Sequence, residues 1–125
     1  TISTVEDKMV YDVKEFDVET GKPVLLTFKN KDFPPHNLLI VKPGKADEVA
    51  NLAIALGNDG FGKQWRPDTP LILWGSTMID YDEETVISFI APPPGDYPYV
   101  CTFPGHAMMM RGVMKVLPKG ADKKK

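Results

Sequence analysis

The stretch that decides the fold is residues 95–116, which read GDYPYVCTFPGHAMMMRGVMKV. Its two ends, 97–101 and 112–116, are rich in the aromatic and β-branched residues that are typical of strands. Between them, Pro104 and Gly105 predict a tight turn. We therefore predict two strands joined by a loop, and the reactive side chains of this stretch lie in or beside that loop.

The loop carries a possible set of metal ligands. Cys101 precedes it, His106 follows the Pro-Gly turn, and three methionines occupy positions 108–110. The other histidine of the chain, His36, lies upstream between Pro35 and Asn37. Two imidazoles, one thiolate and one thioether suit copper as both Cu(I) and Cu(II), with a His-His-Cys plane and a weak axial Met. Zinc would more often add a second thiolate or a carboxylate, so the set predicts one copper ion.

The bulk composition limits the other possibilities. A chain of 125 residues with 42% hydrophobic residues fits one domain with a packed core. The net charge of -2 gives no reason to expect binding to nucleic acid or to an anionic membrane. No apolar run approaches the roughly 20 residues of a membrane-spanning helix. We expect one copper-binding domain at 1–117 and a basic, disordered tail at 118–125.

The rest of the chain alternates short apolar segments with turn signals. Alternation of apolar and polar residues predicts further strands at 10–13, 16–18 and 24–28. A more continuously apolar run predicts a strand at 37–41, and β-branched residues predict one at 85–90. Residues 46–56 differ, because Val49, Leu52, Ala53 and Leu56 recur at helical spacing and Gly57 follows the end. Residues 58–70 are interpreted as a loop anchored by Trp65. The pattern predicts an all-β sandwich or barrel with one inserted α-helix.

The motif Cys-Thr-Phe-Pro-Gly-His, with Met110 four residues after His106, resembles the azurin and auracyanin branch of the cupredoxin family. Pro-His-Asn at 35–37 is more similar to plastocyanin. The resemblance covers roughly 36–117, and it includes Tyr97, which matches a tyrosine that anchors a corner in the family. It implies a Greek-key β-sandwich and a blue copper site, in which His36, Cys101 and His106 are the strong ligands and Met110 is the axial one.

The resemblance also assigns the surroundings of the ligands. Asn37 and Thr102 match positions where a backbone N–H reaches the thiolate and a side-chain link joins the two ligand loops. Azurin has a glycine before its first histidine, with a carbonyl near the metal, whereas this chain has Pro35. The disulfide of azurin is impossible here, because the chain has one cysteine.

The expected function is single-electron transfer rather than enzymatic catalysis, and no catalytic residue is predicted. The ring edge of His106 is the expected exit for electrons. An apolar patch around it would dock redox partners such as a cytochrome or a copper oxidoreductase, and its predicted members are Phe33, Pro34, Pro104, Met108 and Met109. From the resemblance we expect a monomer in the periplasm or another extracytoplasmic compartment.

The same residues allow two alternatives and argue against a third. The methionine-rich loop also suits a copper-delivery or storage protein, since thioethers favour Cu(I). Cys101, a histidine and Asn37 would be the candidates for a cysteine hydrolase, although no oxyanion hole is visible in the sequence. An oxygen- or nitrite-reducing enzyme needs a second copper site, which two histidines do not supply.

Overall fold

A computed structural model of the chain describes residues 1–5, 8–60, 62–63, 65–103 and 110–120. Within them, nine strands form two sheets packed face to face. The strands are β1 Ile2–Val5, β2 Lys8–Tyr11, β3 Glu15–Glu19, β4 Pro23–Lys29, β5 Leu39–Val41, β6 Ile72–Gly75, β7 Glu84–Ile90, β8 Gly95–Val100 and β9 Arg111–Leu117. One sheet has the order β2-β1-β4-β7, and the other has the order β3-β9-β8-β5-β6. The predicted all-β sandwich is confirmed.

The core lies between the two sheets because alternate residues of each strand face inward. In β4, Leu26 and Phe28 are buried, while their neighbour Leu25 is exposed on the outer face. In β9, Met114 and Val116 point into the same core. Cys101 and Met110, at the two ends of the β8–β9 connection, belong to this core too. The copper-ligand candidates therefore sit at one end of the main hydrophobic cluster.

Strand β5 is covered on both faces, which explains its uninterrupted apolar sequence. Leu38 and Ile40 face the main core, whereas Leu39 and Val41 pack with Val49 of the helix α1, Ala46–Ile54. This helix lies against the outer face of the five-stranded sheet. The predicted helix is confirmed, although it ends at Ile54 rather than at residue 56. Leu52 is 38% exposed, because the buried stripe consists of Ala46, Val49, Ala50 and Ala53.

Two contacts fix the strands that lead into and out of the site. The Tyr97 hydroxyl donates to the Pro93 carbonyl at 2.7 Å, which anchors the turn before β8 as in a tyrosine corner. The ring of Tyr99 occupies the space beside Gly112, where an added Cβ would lie 2.2 Å from it. Glycine at this position of the β8–β9 pair therefore leaves room for the Tyr99 ring.

Several sequence-based boundaries were wrong. β1 and β6 were missed, since both are short and neither has a long alternating pattern. β2 ends at Tyr11, two residues before the predicted end, and β5 begins at Leu39 rather than at residue 37. A short 3₁₀-helix, Gly57–Asp59, includes the first two residues of the segment 58–70 that was predicted as a loop. Among the helices of the described segments, none has the length and apolar character needed to cross a lipid bilayer.

Candidate metal centre

His36 lies in the connection between β4 and β5, where a short backbone bridge fixes it. Its N–H donates to the Ile79 carbonyl at 3.2 Å, and the Ile79 N–H donates back at 2.9 Å. The imidazole has no exposed surface. Its Nε2 lies 3.1 Å from Oδ2 of Asp32, the one buried carboxyl group among the described residues. The backbone bridge to Ile79 thus fixes the position of His36, and the contact of Nε2 with Asp32 fixes the orientation of its ring.

Cys101 follows the last residue of β8 and meets His36 although 65 positions separate them. The Sγ atom lies 3.7 Å from Nδ1 of His36, and the cysteine is also fully buried. Bonds to zinc, an ion of similar size to copper, are about 2.0–2.1 Å from imidazole nitrogen and about 2.3 Å from cysteine sulfur. One ion therefore reaches both atoms, and a nitrogen-plus-thiolate pair is the donor chemistry that copper accepts.

Reciprocal hydrogen bonds join the two segments that carry these side chains. Nδ2 of Asn37 donates to the Thr102 hydroxyl at 2.9 Å, and the Thr102 N–H donates to Oδ1 of Asn37 at 2.9 Å. The Thr102 hydroxyl in turn donates to the Trp65 carbonyl, and the Tyr11 hydroxyl donates to the Asn37 carbonyl at 2.7 Å. All these groups are buried, so the link keeps His36 and Cys101 together without a metal.

Burial sets the protonation of both candidate ligands. It raises the pKa of the Cys101 thiol to about 11, although the backbone N–H groups of Asn37 and Phe103 stabilise the thiolate and oppose the rise. It also lowers the pKa of His36 below 6.5, against the opposing effect of Asp32. The metal-free site at neutral pH thus holds a thiol beside a neutral imidazole. A raised thiol pKa is the reverse of what a hydrolytic cysteine requires.

Met110 stands opposite Cys101 at the base of the loop. The Cys101 N–H donates to the Met110 carbonyl at 3.1 Å, and the Met110 side chain is fully buried in the main core. This backbone contact places Met110 at the same end of the sandwich as His36 and Cys101, the other predicted ligands that the structure describes. His106 lies outside the described residues, as do Pro104, Met108 and Met109.

The described part of the predicted docking patch lies on the His36 loop. Phe33 is 69% exposed, and its ring stacks on Tyr81 with the centroids 4.8 Å apart. Pro34 and Pro35 are half-buried. An exposed aromatic pair therefore lies beside the segment that carries His36.

Two buried polar residues that precede His36, Asn30 and Asp32, were not predicted from the sequence. Asn30 has no exposed surface, and its Nδ2 donates to the carbonyls of Pro34 at 3.0 Å and Ile79 at 2.9 Å. Its Oδ1 accepts from the Asp32 N–H at 2.9 Å, and Asp32 contacts His36. The sequence signal for them is Asn-x-Asp, which ends four residues before a histidine. This turn-forming pattern is equally typical of a solvated loop.

Comparison with known proteins agrees with this arrangement. A family model described as "Copper binding proteins, plastocyanin/azurin family" matches residues 1–117. The chain is a member of that family. Cupredoxins of this kind bind copper, so copper is the cofactor of this chain, and membership of the family implies electron transfer by copper.

Individual cupredoxins are similar over most of the chain. Auracyanin-A of Chloroflexus aurantiacus is 34% identical over 92% of this chain and 72% of its own length. Auracyanin-B of the same organism is 29% identical, and the chain spans only 51% of it. A crystal structure of dithionite-reduced auracyanin from Roseiflexus castenholzii superposes with a TM-score of 0.84 at 36% identity, covering 94% of each chain. The predicted cupredoxin sandwich is confirmed.

Removing the Asn37 side chain should loosen the metal-free site. Asn37→Ala leaves the buried Thr102 N–H without its acceptor, so we expect the free energy of unfolding to fall by about 1–3 kcal/mol. Urea denaturation of the metal-free protein measures it. Asn51→Ala, on the exposed face of α1, is the matched control and should change stability by less than about 0.5 kcal/mol. Equal losses in the two variants would contradict the role of the Asn37–Thr102 link.

Copper binding should release a proton from Cys101. At pH 8 the thiol is protonated, because its pKa is about 11, whereas His36 is already neutral. We expect about one proton released per ion, and an apparent affinity that rises about tenfold per pH unit below that pKa. Calorimetry in buffers of different ionisation enthalpy measures the release. Cys101→Ser should release none, and proton-free binding to the unmodified protein would show that the thiolate is not a ligand.

Proposed function

We propose that the chain holds one copper ion through His36, Cys101, His106 and Met110 and carries single electrons between redox proteins. The observation that supports this most directly is the buried approach of His36 Nδ1 to Cys101 Sγ at 3.7 Å. These atoms belong to segments far apart in sequence, and hydrogen bonds of the protein alone hold them together. The bound copper supplies one-electron chemistry by alternating between Cu(II) and Cu(I).

The protein's contribution is to keep the ligands in place during each transfer. His36 is fixed by the backbone bridge to Ile79 and by Asp32, and Cys101 is fixed by Thr102 and by the base of the loop at Met110. Ligands that do not move between oxidation states demand little rearrangement, which favours rapid exchange. The surrounding apolar core excludes water from the thiolate.

The burial of Met110 supports a carrier over a copper-delivery protein. A delivery or storage protein needs thioethers that can meet copper at the surface, but Met110 has no exposed surface and its side chain belongs to the core. Such a position fits an axial ligand of a permanently held ion. No observation among the described residues favours delivery or storage.

The same role applies to a free carrier and to an electron-transfer domain of a larger redox protein. The chain spans 72% of auracyanin-A, and it spans 64% of a relative from Neisseria gonorrhoeae named outer membrane protein H.8. We propose an extracytoplasmic, for example periplasmic, location and a monomeric copper unit at 1–117. The proposed partners are redox proteins such as a cytochrome or a copper oxidoreductase.

Stoichiometric Cu(II) should give an intense visible charge-transfer band and the electron paramagnetic resonance spectrum of a blue copper site. Cys101→Ala should abolish the band because it removes the sulfur donor. Met110→Leu should alter the band and raise the reduction potential, since the axial thioether is lost. Met114→Leu, which changes another fully buried core methionine in β9, is the matched control and should alter neither. A band that survives in Cys101→Ala would refute the proposed site.

Electron exchange should depend on the patch that contains Phe33. Phe33→Glu places a charge on the surface beside the His36 loop, so we expect the electron self-exchange rate to fall about tenfold or more with an unchanged copper spectrum. Nuclear magnetic resonance line broadening in mixtures of the Cu(I) and Cu(II) proteins measures this rate. Leu25→Glu adds the same charge on the outer face of the four-stranded sheet and is the control. Equal slowing in both variants would count against the patch.

A further inference from the structure

A buried carboxylate stands behind the imidazole of His36. Asp32 is only 4% exposed, and its Oδ2 lies 3.1 Å from Nε2 of His36. Its other oxygen, Oδ1, accepts the Phe33 N–H at 3.0 Å. Burying a charged carboxylate is costly unless it is hydrogen-bonded, so its place beside a candidate ligand calls for a chemical reason.

Asn30 holds the turn that carries this carboxylate. Its Oδ1 accepts the Asp32 N–H at 2.9 Å and also the Thr4 hydroxyl at 3.1 Å. Its Nδ2 donates to Pro34 and to Ile79, the residue that forms the backbone bridge with His36. One buried amide thus fixes both the carboxylate and the strand segment against which the histidine is placed. Asp32 is therefore a fixed feature of the site.

The contact determines which nitrogen of His36 bears hydrogen. A carboxylate accepts hydrogen bonds, so Nε2 must carry the proton to satisfy Asp32. Nδ1 is then the bare nitrogen, and it is the atom that lies 3.7 Å from Cys101 Sγ. The carboxylate and the thiol contact opposite nitrogens of the ring, and the resulting tautomer is the one that can bind a metal next to the sulfur.

We propose that Asp32 is a positioning residue that fixes the Nε2–H tautomer of His36 and biases the bound copper toward Cu(II). A carboxylate on the far nitrogen makes an imidazole a more basic ligand, which stabilises the more highly charged ion. Asp32 therefore lowers the reduction potential of the site. This inference rests on the proposed copper site, because it needs His36 as a ligand.

The test compares Asp32→Asn with Asp80→Asn in the copper-loaded protein. The asparagine keeps the size of the side chain and a carbonyl acceptor for Nε2–H, but it removes the charge. We expect the charge-transfer band to remain, while the affinity for Cu(II) relative to Cu(I) falls about tenfold. That loss corresponds to a rise in reduction potential of about 59 mV. Voltammetry measures the potential.

Asp80 is the matched control because it follows Ile79, the bridge partner of His36, but is exposed to solvent. Asp80→Asn removes the same charge from a nearby part of the fold, where water screens it, and should change the relative affinity less than about twofold. An unchanged potential in Asp32→Asn, or an equal shift in the two variants, would overturn the proposal.

A second measurement needs no variant and no copper. Nitrogen-15 chemical shifts of the His36 ring in the metal-free protein at pH 8 report which nitrogen bears hydrogen. We expect a protonated Nε2 and a bare Nδ1. The opposite tautomer would overturn the proposal even if Asp32→Asn failed to fold.

Different results would refute the copper site and the role of Asp32. If the band survives in Cys101→Ala, the copper site itself is wrong, whatever Asp32→Asn does. If Cys101→Ala is colourless but the potential of Asp32→Asn equals that of the unmodified protein, only the role of Asp32 is refuted.

Discussion

The reciprocal hydrogen bonds between Asn37 and Thr102 are the interaction on which the site depends. They tie the segment after His36 to the segment after Cys101, and both lie where water cannot compete. Each group supplies what the other lacks, so separating the segments would leave buried polar atoms unsatisfied. Further bonds extend the link to Tyr11 and Trp65, and hence to β2 and to the loop after α1. The sandwich thereby maintains the spacing of the two candidate ligand atoms, Nδ1 of His36 and Sγ of Cys101.

Each polar residue around the site has a different structural role. Asn30 shapes the turn, Asp32 orients the imidazole, and Asn37 with Thr102 sets the distance to the sulfur. The apolar core beneath them raises the pKa of the thiol and lowers that of the imidazole, because it penalises every charged form. A metal-free site with a protonated thiol is inert as a nucleophile, and only a metal ion that displaces the proton makes the sulfur a donor.

Residues with a chemical signature were predictable from sequence, whereas residues with a purely geometric role were not. The spacing of Cys101, His106 and Met110 indicated the metal and the family, and the β-branched residues within 85–90 indicated a strand. Asn30 and Asp32 read as an ordinary turn, since only the folded chain brings Ile79 and His36 against them. β6 was missed because it has no periodic pattern. It is a strand because it pairs with β5 and because Ile72 packs in the same cluster as residues of α1.

X-ray absorption at the copper edge would identify the donor atoms of the site, because it counts the atoms bonded to the ion. With one equivalent of Cu(II), we predict one sulfur at thiolate bonding distance together with two imidazole nitrogens. A first shell of nitrogen and oxygen alone would contradict it, since Cys101 would then be a buried thiol with no part in binding.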